Sequence, residues 1–144
     1  NKVKIIFEPG RSIIADTAIL LTKIIYIKET KKKNFIILDS GMNDLIRPAI
    51  YGSKHQIIPF KKNNIIVNKL HDLVGPICES TDKFLSLNKY QKVKEKDLLA
   101  ICDVGAYGAV LASNYNLRTK PAEILINKSL YKIISKRQKL NNII

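Results

Sequence analysis

Ile19-Leu20-Leu21-Thr22-Lys23-Ile24-Ile25-Tyr26-Ile27-Lys28-Glu29-Thr30-Lys31-Lys32-Lys33-Asn34-Phe35-Ile36-Ile37-Leu38-Asp39 sets two strand-forming runs about a polar centre. Residues Ile19 to Glu29 are rich in Ile and Thr and partly alternate, which predicts a long strand. Thr30 to Asn34 is a polar turn and Phe35 to Asp39 a second strand, so the segment reads as a hairpin. Further strands are expected at Gln56 to Pro59, Asn64 to Asn68, Asp72 to Glu79 and Leu98 to Asp103, with Lys83 to Val93 only weakly patterned. Glu123 to Ile126 and Leu130 to Ser135 suggest a last hairpin through Asn127-Lys128. Upstream, Val3 to Phe7 is an apolar run with the look of a buried strand, and Glu8-Pro9-Gly10 breaks it. Ser12 to Ala18 follows as a short helix. Gly41 to Asn43 is a turn, Asp44 to Tyr51 a helical turn broken by Pro48, and Gly105 to Asn114 a short helix. Many short strands with turn signals predict a mainly β chain with short helices, arranged as a sandwich or barrel.

At 144 residues the chain is long enough for one domain with a real core, and its apolar content is that of a globular protein. No run approaches the roughly 20 apolar residues of a membrane helix. The opening Asn1-Lys2-Val3-Lys4 is too charged for a signal peptide; without an initiator Met, it reads as the cut end of a fragment. The net charge of +13 would suit a nucleic-acid surface. Four of the 25 basic side chains are Arg (Arg11, Arg47, Arg118, Arg137) and 21 are Lys. Readers of phosphates and bases lean on Arg, whereas scattered Lys among abundant Ile and Asn is what A+T-rich codons produce. Neither nucleic acid nor membrane is expected as a partner. Cys78 and Cys102 are too few for a disulfide framework, and without a secretory segment the expected location is cytoplasmic. His55 and His71 have no metal-ligand spacing to either cysteine, so no metal is expected.

Four short constellations carry chemistry. Glu8-Pro9-Gly10-Arg11 joins a strand to a helix, where free amides, the absence of a Gly10 side chain and the Arg11 fork would suit a phosphate or carboxylate. An ordinary turn with a surface Arg has the same sequence. In Asn43-Asp44-Leu45-Ile46-Arg47-Pro48-Ala49-Ile50-Tyr51, Arg47 and Tyr51 share a face if the segment is helical, as a carboxylate receptor or as a surface Arg beside a half-buried Tyr. Gly75-Pro76-Ile77-Cys78-Glu79-Ser80 puts a thiol beside a carboxylate. A thiol is acidic enough to protonate a carbon centre, Glu79 could bind an amino group, and a buried Cys acting as a small hydrophobe is the plainer alternative. Cys102, in an apolar run, takes that plainer reading. Asp103-Val104-Gly105-Ala106-Tyr107-Gly108 offers a tight turn and a phenol, for a flat ring or phosphate, or simply for packing.

The order of these pieces resembles the fold-type III pyridoxal-phosphate decarboxylases, the ornithine/diaminopimelate/arginine decarboxylase family. The likeness runs from the first residues to Glu123-Ile124-Leu125-Ile126 and more loosely to the end. Cys78-Glu79-Ser80, where ornithine enzymes have Cys-Asp, and Asn43-Asp44-Leu45-Ile46-Arg47-Pro48 with Tyr51 are similar to the diaminopimelate-specific branch. Ala112 to Asn116 and Pro121-Ala122-Glu123 also look like the family's.

The resemblance implies residues 1–18 as the last strand and helix of a truncated TIM barrel and residues 19–144 as the C-terminal β domain. It implies Glu8, Pro9, Gly10, Arg11 and Tyr107 against the pyridoxal 5′-phosphate cofactor. Arg11, Arg47, Tyr51, Glu79 and Tyr107 would bind the amino-acid substrate. Cys78 would be the catalytic proton donor, reaching the active site of a neighbouring subunit in a homodimer. The activity implied is decarboxylation of meso-2,6-diaminopimelate to L-lysine, with another basic amino acid or a carboxylated polyamine as the alternative substrate. The family's cofactor-bearing lysine, its ring-stacking His and the acid facing the ring nitrogen have no match here, so the chain alone is expected to be inactive. The family's first β-domain strand also has no match, and the sheet edge it would cover is expected to be exposed.

Overall fold

The computed structural model describes residues 3–144. Ten strands form in chain order: β1 Leu20–Glu29, β2 Lys33–Leu38, β3 Ile57–Pro59, β4 Ile66–Val67, β5 Leu70–Val74, β6 Lys83–Leu87, β7 Tyr90–Gln91, β8 Leu98–Ile101, β9 Glu123–Asn127 and β10 Leu130–Ser135. The helices are short: α1 Arg11–Ile14, α2 Arg47–Tyr51 and a few 3-10 turns. The expected class, mainly β with short helices, is what forms.

Six strands make one sheet in the order β3-β8-β1-β2-β5-β6; β4 with β7 and β9 with β10 make two-stranded ribbons. The predicted hairpin is the sheet's centre. Its first strand, β1, pairs with β8 over Leu20 to Lys23 and with β2 over Ile24 to Glu29. An irregularity between Ile24 and Tyr26 separates the two stretches. An extra residue there bends and twists the strand, so the sheet curls into a half-barrel. Alternation directs Thr22 and Ile24 of β1, and Asn34, Ile36 and Leu38 of β2, inward. They meet Leu45, Leu73, Phe84, Tyr90, Leu99 and Ile101 in one core. Burying each large aliphatic side chain stabilises the fold by about 1.5–3 kcal/mol. The Tyr90 phenol is satisfied by donating to the Ile57 carbonyl at 3.2 Å, and burial raises its pKa above the ordinary range.

The sheet's directions place the chemistry. β1 is antiparallel to both β2 and β8, and β5 is parallel to β2. Hence β2, β5 and β8 run the same way, and the loops after Leu38, Val74 and Ile101 leave from one end. Leu20, at the start of β1, pairs with Ile101 at the end of β8, so α1 approaches from that end too. All four constellations therefore gather there. The parallel step from β2 to β5 needs a long crossover, and residues 39–69 supply it, carrying α2 and β3.

Some expectations change. Val3 to Phe7 forms no strand and is exposed. Its apolar run has no neighbouring strand among the described residues, and a lone strand cannot satisfy its backbone. Pro48 opens α2 rather than breaking a helix, because the first turn needs no donor from it. The strand expected over Asp72 to Glu79 stops at Val74, where Gly75-Pro76 begins a turn. The weak Lys83 to Val93 segment resolves into β6 and β7. The last hairpin turns through Lys128-Ser129, between the paired Asn127 and Leu130. Among the described residues no helix is long and apolar enough to cross a membrane.

Candidate active site

Arg47 opens α2, and Tyr51 closes it one turn later. Gly52, at φ 61°, takes the left-handed conformation that ends the helix, its N–H donating to the Pro48 carbonyl. The Arg47 guanidinium carbon lies 5.4 Å from the Tyr51 ring centroid and 5.6 Å from that of Tyr107. Each contact is worth about 0.5–1 kcal/mol at an exposed site. Together they aim the planar fork, with Nη2 donating to Ser53 Oγ at 3.4 Å.

Tyr107 arrives from the loop after β8. Asp103 (φ 60°) and Tyr107 (φ 61°) are both left-handed, which costs L-residues about 1–2 kcal/mol each. Packing holds the loop in place. The Gly105 N–H donates to the Ala15 carbonyl and that of Val104 to Ala18. A Cβ on Gly105 would lie 2.0 Å from the Ile14 carbonyl oxygen, so no other residue fits where this loop crosses the segment after α1. That crossing fixes Arg11 near Arg47. Both line an open groove of about 450 Å³, together with Ser12, Lys54, His55 and Asp103. Three cations face one acid there, a donor set that fits anions, phosphate or carboxylate. Gly10 precedes α1 with open space where a side chain would stand, and Glu8, Pro9 and Arg11 are exposed beside it.

Cys78 and Glu79 occupy the turn after β5, both exposed. They leave the sheet at the same end but do not line the Arg11–Arg47 groove. Their turn is held from beneath by Asp82, whose carboxylate accepts the Ile77 N–H at 2.8 Å and the Met42 N–H at 2.7 Å. Desolvation by burial raises the Asp82 pKa against the pull of these two bonds and of Arg118. Cys102, part-buried, has its thiol pKa raised by desolvation and then by the Asp103 charge.

The structure thus brings Arg11 and Arg47 to one groove and sets the Tyr51 and Tyr107 rings within cation–π reach of Arg47. It leaves Cys78 and Glu79 on a separate exposed turn. Sequence reading missed Lys54, and gave His55 and Asp103 no role in the site. His55 is buried, with Nδ1 2.9 Å from the Cys102 carbonyl, and braces the exit of β8. A search for metal spacing does not find such a residue, and among the described residues no three potential metal ligands cluster.

The family described as "Pyridoxal-dependent decarboxylase, C-terminal sheet domain" matches residues 13–105. A diaminopimelate decarboxylase of Aquifex aeolicus is 44% identical over 99% of this chain and 34% of its own length. One of Vibrio cholerae is 41% identical over 98% of this chain and 33% of its own. The chain therefore spans about a third of the length of the curated relatives it matches. The crystal structure of diaminopimelate decarboxylase from Helicobacter pylori complexed with L-lysine superposes with a TM-score of 0.85 at 40% identity, over 94% of this chain and 33% of that one. With a match over most of its length, on a curled sheet whose loops converge at one end, the chain belongs to the pyridoxal-dependent decarboxylases, in their C-terminal sheet domain family.

Proposed function

We propose that this chain serves a diaminopimelate decarboxylase that converts meso-2,6-diaminopimelate to L-lysine and carbon dioxide in lysine biosynthesis. The observation that carries the reading is the Arg47 fork, held within cation–π distance of Tyr51 and Tyr107 and sharing a groove with Arg11. Two guanidinium groups in one anion-seeking groove suit a ligand set with more than one acidic group. That excess is what a substrate with two carboxylates and a phosphorylated cofactor presents.

Pyridoxal 5′-phosphate, when bound, supplies the electron sink that makes loss of carbon dioxide feasible. Glu8, Pro9, Gly10 and Arg11 would hold its phosphate, with Tyr107 against it. Arg11 would also take a substrate carboxylate. Arg47 and Tyr51 hold the carboxylate at the distal end of the substrate, and Glu79 holds the ammonium there. Cys78 delivers a proton to the carbon that carbon dioxide has left. Specificity comes from the distal end. A substrate lacking that second carboxylate leaves Arg47 without its anion, and such polar mismatch discriminates strongly. The exposure of Cys78 and Glu79, away from the groove of their own chain, supports a site completed across a homodimer interface. The enzyme is read as cytoplasmic, and this chain alone as inactive, since none of its 21 lysines matches the one that carries the cofactor in the family.

The test is Cys78→Ala in the full-length enzyme. Turnover is expected to fall by about two orders of magnitude or more while the cofactor's visible absorbance survives. Unchanged turnover removes Cys78 from the mechanism. A preference for ornithine or lysine over diaminopimelate in competition assays would move the assignment to a related decarboxylase.

A further inference from the structure

The loop carrying Arg47 and the turn carrying Cys78-Glu79 are joined by one buried side chain. Asp82 is 3% exposed. Its Oδ1 accepts the Met42 N–H at 2.7 Å and its Oδ2 the Ile77 N–H at 2.8 Å. Its own carbonyl accepts the Gly75 N–H at 2.9 Å, and its N–H donates to the Glu79 carbonyl at 3.1 Å. Ile77 directly precedes Cys78. Met42 sits in a turn with little freedom, since the Gly41 N–H donates to Asp44 Oδ2 and the Gly41 carbonyl accepts from Asp44 and Leu45. From Leu45 the chain passes straight into α2. The two turns also touch at a second place: a Cβ on Gly41 would stand 3.1 Å from Ile77 Cδ1. The carboxylate needs room, and Gly75 provides it, since a Cβ there would lie 2.2 Å from Asp82 Oδ2.

We propose that Asp82 is a positioning residue, a carboxylate clamp that fixes the Cys78-Glu79 turn relative to the turn leading into Arg47. This rests on the reading above for the roles of Cys78 and Arg47. A thiol that protonates carbon and an arginine that grips substrate must be fixed to within fractions of an ångström, since small misplacements cost about a hundredfold in rate. Neither residue touches Asp82, which acts through the backbone of each loop. In a homodimer with a shared site, the clamp would couple a group serving one pocket to a group serving the other.

The experiment uses the full-length holoenzyme with Asp82→Asn, which keeps the shape but turns one accepting oxygen into an NH2 that cannot accept an N–H. Asp72→Asn is the comparison. Asp72 is equally buried and bonded to Lys33 and Ser86, but touches neither turn. The readouts are amide exchange at Met42 and Ile77, the rate of Cys78 alkylation by iodoacetamide, and kcat against KM. Asp82→Asn is expected to speed exchange at those amides, change Cys78 alkylation severalfold and lower kcat by about tenfold to a hundredfold. Asp72→Asn lowers the melting temperature and leaves those readouts unmoved. Gly75→Ala, whose methyl displaces the same carboxylate, should reproduce the Asp82 pattern and serves if Asp82→Asn fails to fold. The proposal is overturned if these variants only lose stability, as Asp72→Asn does, with exchange and alkylation unchanged. Exchange and alkylation do not need catalysis. If they respond while Cys78→Ala keeps full turnover, the clamp stands and the catalytic role of Cys78 falls.

Discussion

Arg47 and Tyr107 lie far apart in sequence and meet with the guanidinium carbon 5.6 Å from the ring centroid. The contact holds the guanidinium beside the ring, and the N–H groups that Ser53 does not take remain to hold a carboxylate bidentately. Lysine keeps the charge and loses both features. If the proposed function holds, Arg47→Lys in the full-length enzyme is expected to raise KM for diaminopimelate by about tenfold or more and to narrow any preference for it over substrates without a distal carboxylate. Steady-state kinetics with paired substrates measures both. Equal loss on all substrates would place Arg47 outside the distal subsite.

Asp72, on β5, accepts a hydrogen bond from Lys33 Nζ at 2.6 Å, across the parallel pair with β2, and another from Ser86 Oγ at 2.6 Å. Desolvation raises its pKa, but the bonds from Lys33 and Ser86 and the charges of Lys33 and Lys83 outweigh it, and the net shift is downward. A carboxylate with a depressed folded pKa contributes stability above its unfolded pKa and loses it as pH falls through the folded value. Asp82 and Asp44, raised mainly by burial, act in the opposite sense. Their contribution is complete below the unfolded pKa and is lost as pH rises through the folded one. Asp72→Asn is expected to cost about 1–3 kcal/mol near neutral pH, and the difference from the parent should shrink on acidification. Urea unfolding between about pH 7 and pH 3 checks this; a constant difference would show that the Asp72 charge has no part in it.

The central hairpin could be read directly, because β1 and β2 carry strand-forming residues about a polar turn and their inward faces follow the period of two. The four constellations could be read as motifs, because Gly, Pro, Arg and Cys in fixed order are visible locally. Their convergence could not. It depends on β5 running parallel to β2, and no local pattern separates that from an antiparallel pairing. Asp82 was invisible for a related reason: an Asp among Ser, Thr and Lys looks like a solvated turn. Only the fold shows that its carboxylate is buried beneath two backbone N–H groups. Val3 to Phe7 erred the other way, since an apolar run becomes a strand only where another strand meets it.

The β9–β10 hairpin raises a different issue. Ile126 and Tyr131 are registered partners, 72% and 76% exposed, and Ile124, Leu125, Leu130 and Ile133 are all more than half exposed. A two-stranded ribbon has two open edges and no layer behind it, and exposed apolar ribbons of this sort are prone to pair with other copies. This chain, prepared by itself, is therefore expected to self-associate as its concentration rises, despite its large positive charge. Ile126→Lys with Tyr131→Lys puts two like charges directly opposite each other on the ribbon, which disfavours both the ribbon and its association. Ile126→Thr with Tyr131→Thr keeps strand propensity and removes only the apolar surface. If the apolar face drives association, the Thr pair should lower the weight-average mass seen by sedimentation or light scattering nearly as far as the Lys pair does. If the open backbone edges drive it, the Thr pair should leave the mass unchanged and only the Lys pair should lower it.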